Sequence, residues 1–433
     1  MKKIFINASD FIKTYDNIFA IILFFLCIFG TILNVRITNG DELWNFQNIF
    51  KMYNGYKIYQ DANVIVTPLF FEIGEKIFKI LGANILSFRI YNIIIFVNLY
   101  FLTYVILKKI GIPKKISLIA VLAMILKEMV LIQANYNIMA LEIYLFGVYV
   151  YLCKFKCNNI IQGIILFLIF MTKQNIGIFY AIGLILCEIL KEQDVKCKIK
   201  DIFIEIIFFL YLSMSFFMYL YYNNILYDFI NYTVLGIGEF AKENIFIDIK
   251  SVILVVFFSV INIIMTLFFI KKKGLNNKEK NQLIILNCFS FPIIMVMIPI
   301  INYAHFLIGI YLAVILFIYL IFILVRECEI KVNRTIINCV ITILILFKCL
   351  YSVYNFFLWY EEISSVSYEF ELEHPFYGGV CEKEMITNIN VVTQYIKEKM
   401  NKVVILSNKA ALYMVPLRQS NRNVGFTFKR KFR

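Results

Sequence analysis

Two adjacent carboxylates, Asp41 and Glu42, stand directly after the first hydrophobic stretch of the chain and open a long loop, 37–84. A carboxylate at the end of a membrane helix is costly unless water or a partner stabilises its charge, so such residues are often functional. The alternative interpretation is an interfacial loop whose acidic side chains are merely hydrated.

The composition is that of a polytopic membrane protein. Of the 433 residues, 61% are hydrophobic, with 44 phenylalanines and 28 tyrosines. No soluble fold of this length needs so much apolar surface. We therefore expect an all-α transmembrane domain over 1–352 with about eleven helices. The predicted spans lie near 17–35, 85–107, 116–132, 137–153, 160–172, 176–190, 203–222, 251–270, 283–301, 307–325 and 335–352.

The net charge of +14 is distributed according to membrane side. Lys and Arg are concentrated in every second connection between the predicted spans, which is the positive-inside pattern of membrane proteins. This pattern predicts an integral plasma membrane protein whose N-terminus is cytoplasmic. The loop 37–84 and the segment 353–433 are then extracytoplasmic. Since the basic residues follow the topology, we expect membrane lipids and no nucleic acid as partners.

Two amphipathic helices and a small domain are expected outside the membrane. Leu43, Phe46, Phe50 and Tyr53 fall on one helical face, and a second apolar stripe follows in 70–81. Such helices often lie on a bilayer surface, although a structural collar is equally compatible with the pattern. The segment 353–433 combines acidic patches, a helical stripe and a strand-like run. We expect it to form a small α/β domain, or a truncated one, near the lower size limit for an independent core.

Scarce polar residues in the predicted external turns could bind a phosphate. Lys173 and Gln174 lie between the fifth and sixth spans, and an ammonium beside amide groups suits a phosphate oxygen. His305 lies between the ninth and tenth spans, where it could donate to a phosphate or ligate a metal ion with a carboxylate. The alternatives are a lysine that snorkels to the interface and a hydrogen-bonded interfacial histidine.

Arg89 is a further cation at the same predicted membrane face, because it begins the second span. It could pair with Asp41, with Glu42 or with a lipid phosphate. The alternative is again a side chain that extends to the interface without a specific partner.

The order of these residues resembles that of the GT-C glycosyltransferases, membrane enzymes that take sugars from polyprenyl-phosphate carriers. In the first loop the resemblance rests on Asp41-Glu42, Gly55-Tyr-Lys-Ile-Tyr59, Asp61, Pro68-Leu-Phe-Phe-Glu and Arg89. It continues in the Asn135-Tyr136 turn, the Thr172-Lys-Gln turn, the His305 turn and the external tail. It is closest to the bacterial branch that includes protein O-mannosyltransferases and aminoarabinose transferases.

The resemblance implies an inverting transfer to a glycan, lipid or protein acceptor of the cell envelope. Asp41 would be the general base, and Glu42 would support it. The donor phosphate would contact Lys173, His305, Arg89 and Gln174. Acceptor-binding or supporting roles would fall to Tyr59, Asp61, Asn135 and Tyr136. If a divalent metal ion takes part (Mg, Mn or Zn), Glu42 and His305 are its candidate ligands. All of this requires Asp41, Lys173 and His305 to line one cavity.

Two other classes of protein stay open on the sequence alone. One is a flippase or transporter of polyprenyl-linked lipids, which needs polar residues throughout the depth of its helices. The other is a polysaccharide polymerase of envelope assembly. The sequence contains no Walker, Rossmann, HExxH or Gly-x-Ser-x-Gly motif, so nothing in it indicates a nucleotide-driven reaction. The energy for a group transfer must then arrive with an activated substrate.

Reporter fusions test the predicted membrane sidedness. We expect fusions at positions 112 and 275 to report the cytoplasm and a fusion at 420 to report the outside, because basic loops alternate along the chain. Paired reporters, one active on each side of the membrane, provide the measurement and its internal control. A cytoplasmic signal at 420 would reverse the side assigned to every candidate residue.

Overall fold

The computed structural model describes residues 40–62, 64–127, 135–243, 245–271 and 275–327, together with parts of 17–28 and of 343–398. The described chain is predominantly helical. Much of the first predicted span, and most of the last predicted span and of the predicted C-terminal domain, lie outside the described residues. The predicted strand-like run at 403–406 and His374 also lie outside them.

The helices begin in the first loop with α1 (Gly40–Tyr53) and α2 (Leu69–Leu81). The next six are α3 (Ile85–Lys109), α4 (Lys114–Lys127), α5 (Tyr136–Cys153), α6 (Asn158–Thr172), α7 (Gln174–Leu190) and α8 (Val195–Tyr222). Then follow α9 (Leu226–Ile230), a π-helical turn (Asn231–Leu235), α10 (Gly236–Glu243), α11 (Ile249–Lys271), α12 (Asn277–Ile293), a 3-10 turn (Ile294–Met297) and α13 (Tyr303–Glu327).

Within the described residues, strands are limited to short pairs. Strand β1 (Phe246–Ile247) runs parallel to β2 (Ile300–Ile301), and β3 (Ser367–Tyr368) runs antiparallel to β4 (Cys381–Glu382). The β1–β2 pair joins the segment before α11 to the segment before α13. It therefore ties together two connections at one end of the helices.

Six of the described helices are long and apolar enough to cross a membrane: α3, α5, α8, α11, α12 with its 3-10 extension, and α13. The two helices α6 and α7 are apolar but shorter, with 15 and 17 residues, as the sequence indicated for the fifth and sixth spans. These helices define an α-helical integral membrane protein.

The bundle packs through neighbouring helix pairs. The main contacts join α3 to α5, α6 to α8, α7 to α12, and α13 to both α11 and α12. The α6–α8 contact is especially close, because a Cβ atom at Gly163 would lie 2.5 Å from the Glu205 carbonyl oxygen. Small residues allow such close approach of membrane helices. Outside this contact α8 leaves most of its apolar side chains exposed, as expected for a helix that faces lipid.

The two helices of the first loop form where the sequence predicts them, but their apolar faces pack against protein. Leu43, Phe46 and Phe50 are all buried. The Phe46 ring lies 5.6 Å from that of Phe78 in α2 and 6.1 Å from that of Phe88 in α3. These three side chains of α1 therefore pack against α2 and α3 as a structural collar would, whereas Tyr53 on the same predicted face is exposed.

A turn of the C-terminal segment, 375–379, packs on the N-terminal end of α3. The carbonyls of Pro375 and Tyr377 accept hydrogen bonds from the first backbone amides of α3, at 2.9 and 3.0 Å. Phe376 is fully buried, with its ring 6.1 Å from that of Phe46. The turn thus satisfies amides that a helix start leaves without partners. It lies at the same end of the bundle as α1.

Candidate functional site

A cavity of ≈ 330 Å³ lies where the N-terminal ends of α1, α5, α7 and α13 meet. Its polar lining comes from Asp41, Asn45, Asn135, Tyr136, Asn137, Lys173, Gln174, Asn175, Asn302 and His305. Its apolar wall includes Ile65, Val66, Ile237, Val296, Ile298, Pro299 and Ile300. The structure therefore brings Asp41, Lys173 and His305 together around one cavity, although they are far apart in the sequence.

Asp41 is an exposed side chain in the first turn of α1. A carboxylate is stabilised there by the partial positive charge of the helix N-terminus. The neighbouring Trp44 fixes the position of α1, since its ring packs edge-on against Phe71 at 5.8 Å and Tyr136 at 6.1 Å. Asp41 is consequently an accessible carboxylate on a firmly packed helix, as a general base requires.

Lys173 forms the one-residue turn between α6 and α7 and is half-buried. Its Nζ donates to Asn137 Oδ1 and lies 5.5 Å from the centroid of the Tyr136 ring. Burial lowers the pKa of the Lys173 ammonium to about 7. An anion in the cavity would favour the protonated form. Lys173 can thus bind an anion in its protonated form and can also lose its proton near neutral pH.

His305 belongs to the first turn of α13 and is half-buried. The side-chain oxygen Oδ1 of Asn302 accepts the backbone N–H of His305 at 2.9 Å and lies 2.9 Å from its Nδ1. Asn302 therefore both caps the helix and holds the imidazole ring.

Gln174 lines the cavity, but its amide group braces the surrounding chain. Its Nε2 donates to the carbonyls of Ile65 at 3.1 Å and Thr233 at 2.9 Å. A glutamine amide has two N–H donors, and both are used by these bonds. The expectation that Gln174 donates to a phosphate is not supported by this geometry. The residue instead connects α7 to the first loop and to the π-helical turn.

Glu42 and Arg89 pair with each other inside the protein. Arg89 Nε donates to Glu42 Oε1 at 3.0 Å, Nη2 approaches Glu42 Oε2 at 3.4 Å, and Nη1 donates to the Gly378 carbonyl at 3.1 Å. Both side chains are almost completely buried, and neither belongs to the described lining of the cavity. Arg89 thus takes the carboxylate partner foreseen among its alternatives, and this placement does not fit a contact with a donor phosphate.

The proposed metal ligands Glu42 and His305 do not form a metal site. Glu42 is paired with Arg89 away from the cavity that His305 lines. In the described part of the chain, no three His, Cys, Asp or Glu side chains come together in a group that could hold a metal ion. The residues therefore do not fit a bound Mg, Mn or Zn ion in the role expected from the sequence.

Tyr59 and Asp61 shape the loop that leads to the cavity wall. The Tyr59 hydroxyl donates to the Val66 carbonyl at 2.9 Å, and Asp61 Oδ2 accepts the backbone N–H of Lys57 at 2.8 Å. Burial raises the pKa of the Tyr59 hydroxyl well above its usual value, so it stays protonated. Neither Tyr59 nor Asp61 is among the described residues that line the cavity. Their hydrogen bonds support a structural role.

Asn135 and Tyr136 do line the cavity, together with asparagines that were not predicted as site residues. Asn135 Oδ1 caps α5 by accepting the backbone amides of Asn137 at 2.9 Å and Ile138 at 3.3 Å. Asn302 has the corresponding place before α13. An asparagine directly before an apolar helix is a recognisable N-cap signal. That signal would have identified Asn135 and Asn302 as the starts of two helices.

A second cavity, of ≈ 310 Å³, lies at the C-terminal ends of α5 and α7, beside the first turns of α6 and α12. Lys191, which lines this cavity, forms an ion pair with Glu188 at 2.6 Å. The Glu188 carboxylate also accepts a hydrogen bond from the Tyr151 hydroxyl at 2.9 Å. This cavity contains none of the predicted site residues.

No protein-family model, curated protein or solved structure matches the chain. The class of the protein is therefore defined by its helical fold and by the polar cavity described above. It is an α-helical integral membrane protein with a polar cavity where several helices begin.

Replacing Glu42 tests the structural role of its ion pair. We expect Glu42→Gln to lower the melting temperature in detergent, because it leaves the buried Arg89 charge uncompensated, at a cost of about 3–5 kcal/mol. Asp41→Asn is the matched control, since it changes the adjacent exposed carboxylate and should melt near the wild-type temperature. An unchanged melting temperature for Glu42→Gln would contradict this role.

The pH dependence of anion binding tests Lys173. We expect the affinity for a dialkyl phosphodiester, whose own charge is constant in this range, to be greatest below pH 7. It should fall by up to about tenfold per pH unit above the Lys173 pKa of about 7, as the ammonium loses its proton. Titration calorimetry or ligand-detected binding between pH 6 and 9 would measure it.

The matched variant for this measurement is Lys173→Arg, which keeps a cation that does not titrate. It should bind with an almost flat pH profile, whereas Lys173→Met should bind weakly at every pH. A wild-type profile as flat as that of Lys173→Arg would contradict the lowered pKa of Lys173.

Proposed function

We propose that the protein is a membrane glycosyltransferase that moves a sugar from a polyprenyl-phosphate carrier to an acceptor hydroxyl. The observation that carries this proposal is the meeting of Asp41, Lys173 and His305 around one cavity. An accessible carboxylate and a nearby cation are the two groups that inverting transfer from a phosphate requires. The resemblance of the motif order to the GT-C glycosyltransferases supports the same function.

In the proposed reaction the acceptor hydroxyl attacks the anomeric carbon on the face opposite the phosphate, so the configuration inverts. Asp41 takes the hydroxyl proton as the new C–O bond forms. The bond between the anomeric carbon and the phosphate oxygen breaks, and its electron pair leaves with the lipid phosphate. The Lys173 ammonium stabilises the charge that develops there. Because the phosphate is a good leaving group, this reaction needs no general acid to protonate the departing oxygen.

The cavity wall supports a lipid-linked substrate. Ile237, Ile298 and Ile300 line the cavity together with the polar side chains of Lys173 and His305. Ile298 is itself exposed. A cavity with a charged part and an adjoining apolar wall suits a molecule with a phosphate head and a hydrocarbon chain. This arrangement favours a polyprenyl phosphate over a soluble sugar phosphate.

A flippase of polyprenyl-linked lipids fits less well. Such a transporter needs a polar path through the depth of its helices. In the described residues the polar lining of the cavity is concentrated where helices begin, and α3, α5 and α13 are predominantly apolar below it. A polysaccharide polymerase would also use an acceptor hydroxyl, and it is distinguished by its products.

The proposal places the reaction on the outer face of a bacterial plasma membrane, with the N-terminus in the cytoplasm and the C-terminal segment outside. The acceptor would be a glycan, lipid or protein of the cell envelope. Membranes that contain the protein, incubated with radiolabelled polyprenyl-phosphate sugars, test the function. Label that leaves the lipid supports a transferase. Label that crosses the membrane but stays on the lipid supports a flippase, and lengthening lipid-linked glycans support a polymerase.

Asp41→Asn tests the proposed base directly. We expect turnover to fall by about 10²–10⁴-fold, the usual contribution of a general base, while donor binding stays close to that of the wild type. Lys173→Ala should instead weaken donor binding, because it removes the phosphate partner. Label transfer and donor affinity, measured on the same preparations, separate the two effects.

Asp61→Asn is the matched control, since Asp61 is a carboxylate of the same loop that holds a turn away from the cavity. It should retain most of the wild-type turnover. Near-normal turnover by a well-folded Asp41→Asn protein would rule out Asp41 as the base.

A further inference from the structure

The hydrogen bonds of Asn302 determine which nitrogen of His305 carries the proton. The backbone N–H of His305 can only donate, so the Asn302 atom that it contacts at 2.9 Å must be the side-chain oxygen. The same oxygen lies 2.9 Å from His305 Nδ1. Because an amide oxygen only accepts, Nδ1 must be the donor in this contact and must carry a hydrogen.

This assignment leaves Nε2 as the acceptor of the neutral ring. A neutral imidazole has one N–H, and a hydrogen bond to one ring nitrogen fixes the role of the other. His305 lines the cavity together with Lys173, and a second cation beside that lysine would be disfavoured by like-charge repulsion. The ring nitrogen that remains for a ligand therefore presents a lone pair.

We propose that Asn302 is a positioning residue that holds His305 in the Nδ1–H form, so that Nε2 accepts a hydrogen bond from a hydroxyl group of the bound ligand. The inference rests on the proposed function and narrows it. Lys173 binds the phosphate, and His305 accepts a hydrogen bond from a hydroxyl group of the sugar. A lone pair facing a phosphate oxygen would repel it, so the earlier expectation that His305 donates to the phosphate is replaced by this one.

The tautomer can be read directly by nitrogen NMR on the full chain. The sequence contains only two histidines, His305 and His374, so His374→Gln leaves a single ¹⁵N-labelled ring to observe in lipid bilayers. Protonated and unprotonated ring nitrogens have well-separated chemical shifts. We expect a protonated Nδ1 and an unprotonated Nε2. The opposite pattern would overturn the proposal without any variant at Asn302.

Two substitutions of Asn302 show whether it causes the tautomer. Asn302→Asp keeps an oxygen at the same place and should retain the Nδ1 proton. Asn302→Leu removes the acceptor and should raise the population of the Nε2–H form. If the leucine variant shows the wild-type pattern, another group holds the ring and Asn302 is not the positioning residue. If that variant does not fold, the wild-type spectrum and Asn302→Asp still decide the assignment.

The ligand contact is tested by comparing a polyprenyl phosphate with its glycosylated form. We expect His305→Phe to weaken binding of the sugar-bearing lipid by up to about tenfold, the value of one hydrogen bond, and to leave binding of the bare lipid phosphate unchanged. His305→Gln, which offers an amide oxygen, should recover part of the loss. Lys173→Ala is the matched control and should weaken both lipids.

The outcomes separate this inference from the proposed function. Equal losses for both lipids in His305→Phe, in a wild-type protein that transfers sugar, would overturn the hydroxyl contact alone. A protein that transfers no sugar and shows no preference between the two lipids would overturn the proposed function and the hydroxyl contact together. In that case the NMR pattern still establishes or excludes Asn302 as the residue that sets the tautomer.

Discussion

The buried ion pair between Glu42 and Arg89 fixes the orientation on which the cavity depends. Successive residues of an α-helix point about 100° apart around its axis. Once Glu42 is held inward by Arg89 of α3, its neighbour Asp41 must point to a different side, and there it lines the cavity. The carbonyl of Gly378 completes the arginine contact. A buried charge pair adds little net stability. It nevertheless restricts the positions of both side chains, because each buried charge needs its partner.

The remaining walls follow from how helices begin. Helices α1, α5, α7 and α13 direct their N-terminal ends to the cavity, and each N-terminus carries a partial positive charge. Asn135 and Asn302 satisfy amides of α5 and α13 with side-chain oxygens. Many of the polar lining residues are therefore helix N-caps or residues of a first helical turn. This arrangement also creates a positive potential that favours an anion.

Hydropathy predicts where the helices lie better than it predicts what covers them. The spans of α3 to α8 and α11 to α13 follow from long apolar runs, and α1 and α2 from periodicity. Periodicity identifies an apolar face without revealing its partner, and for this reason both a bilayer surface and a structural collar stayed open for the face of α1. The same limit applied to the site. Asp41, Lys173 and His305 were correctly placed at one cavity. The choice of Glu42 among the possible partners of Arg89, and the carbonyl partners of Gln174, depend on tertiary contacts.

The lowered pKa of Lys173 links these parts of the cavity to the binding of an anion. A buried, permanently charged lysine would need a permanent counterion, but Lys173 has a pKa of about 7 and can lose its proton. An anionic ligand favours the ammonium again, so above that pH its binding must be accompanied by proton uptake. The cavity then acquires its full cationic partner only when a phosphate is present. In the proposed reaction Asp41, which is exposed on α1 and lines the same cavity, takes the acceptor proton.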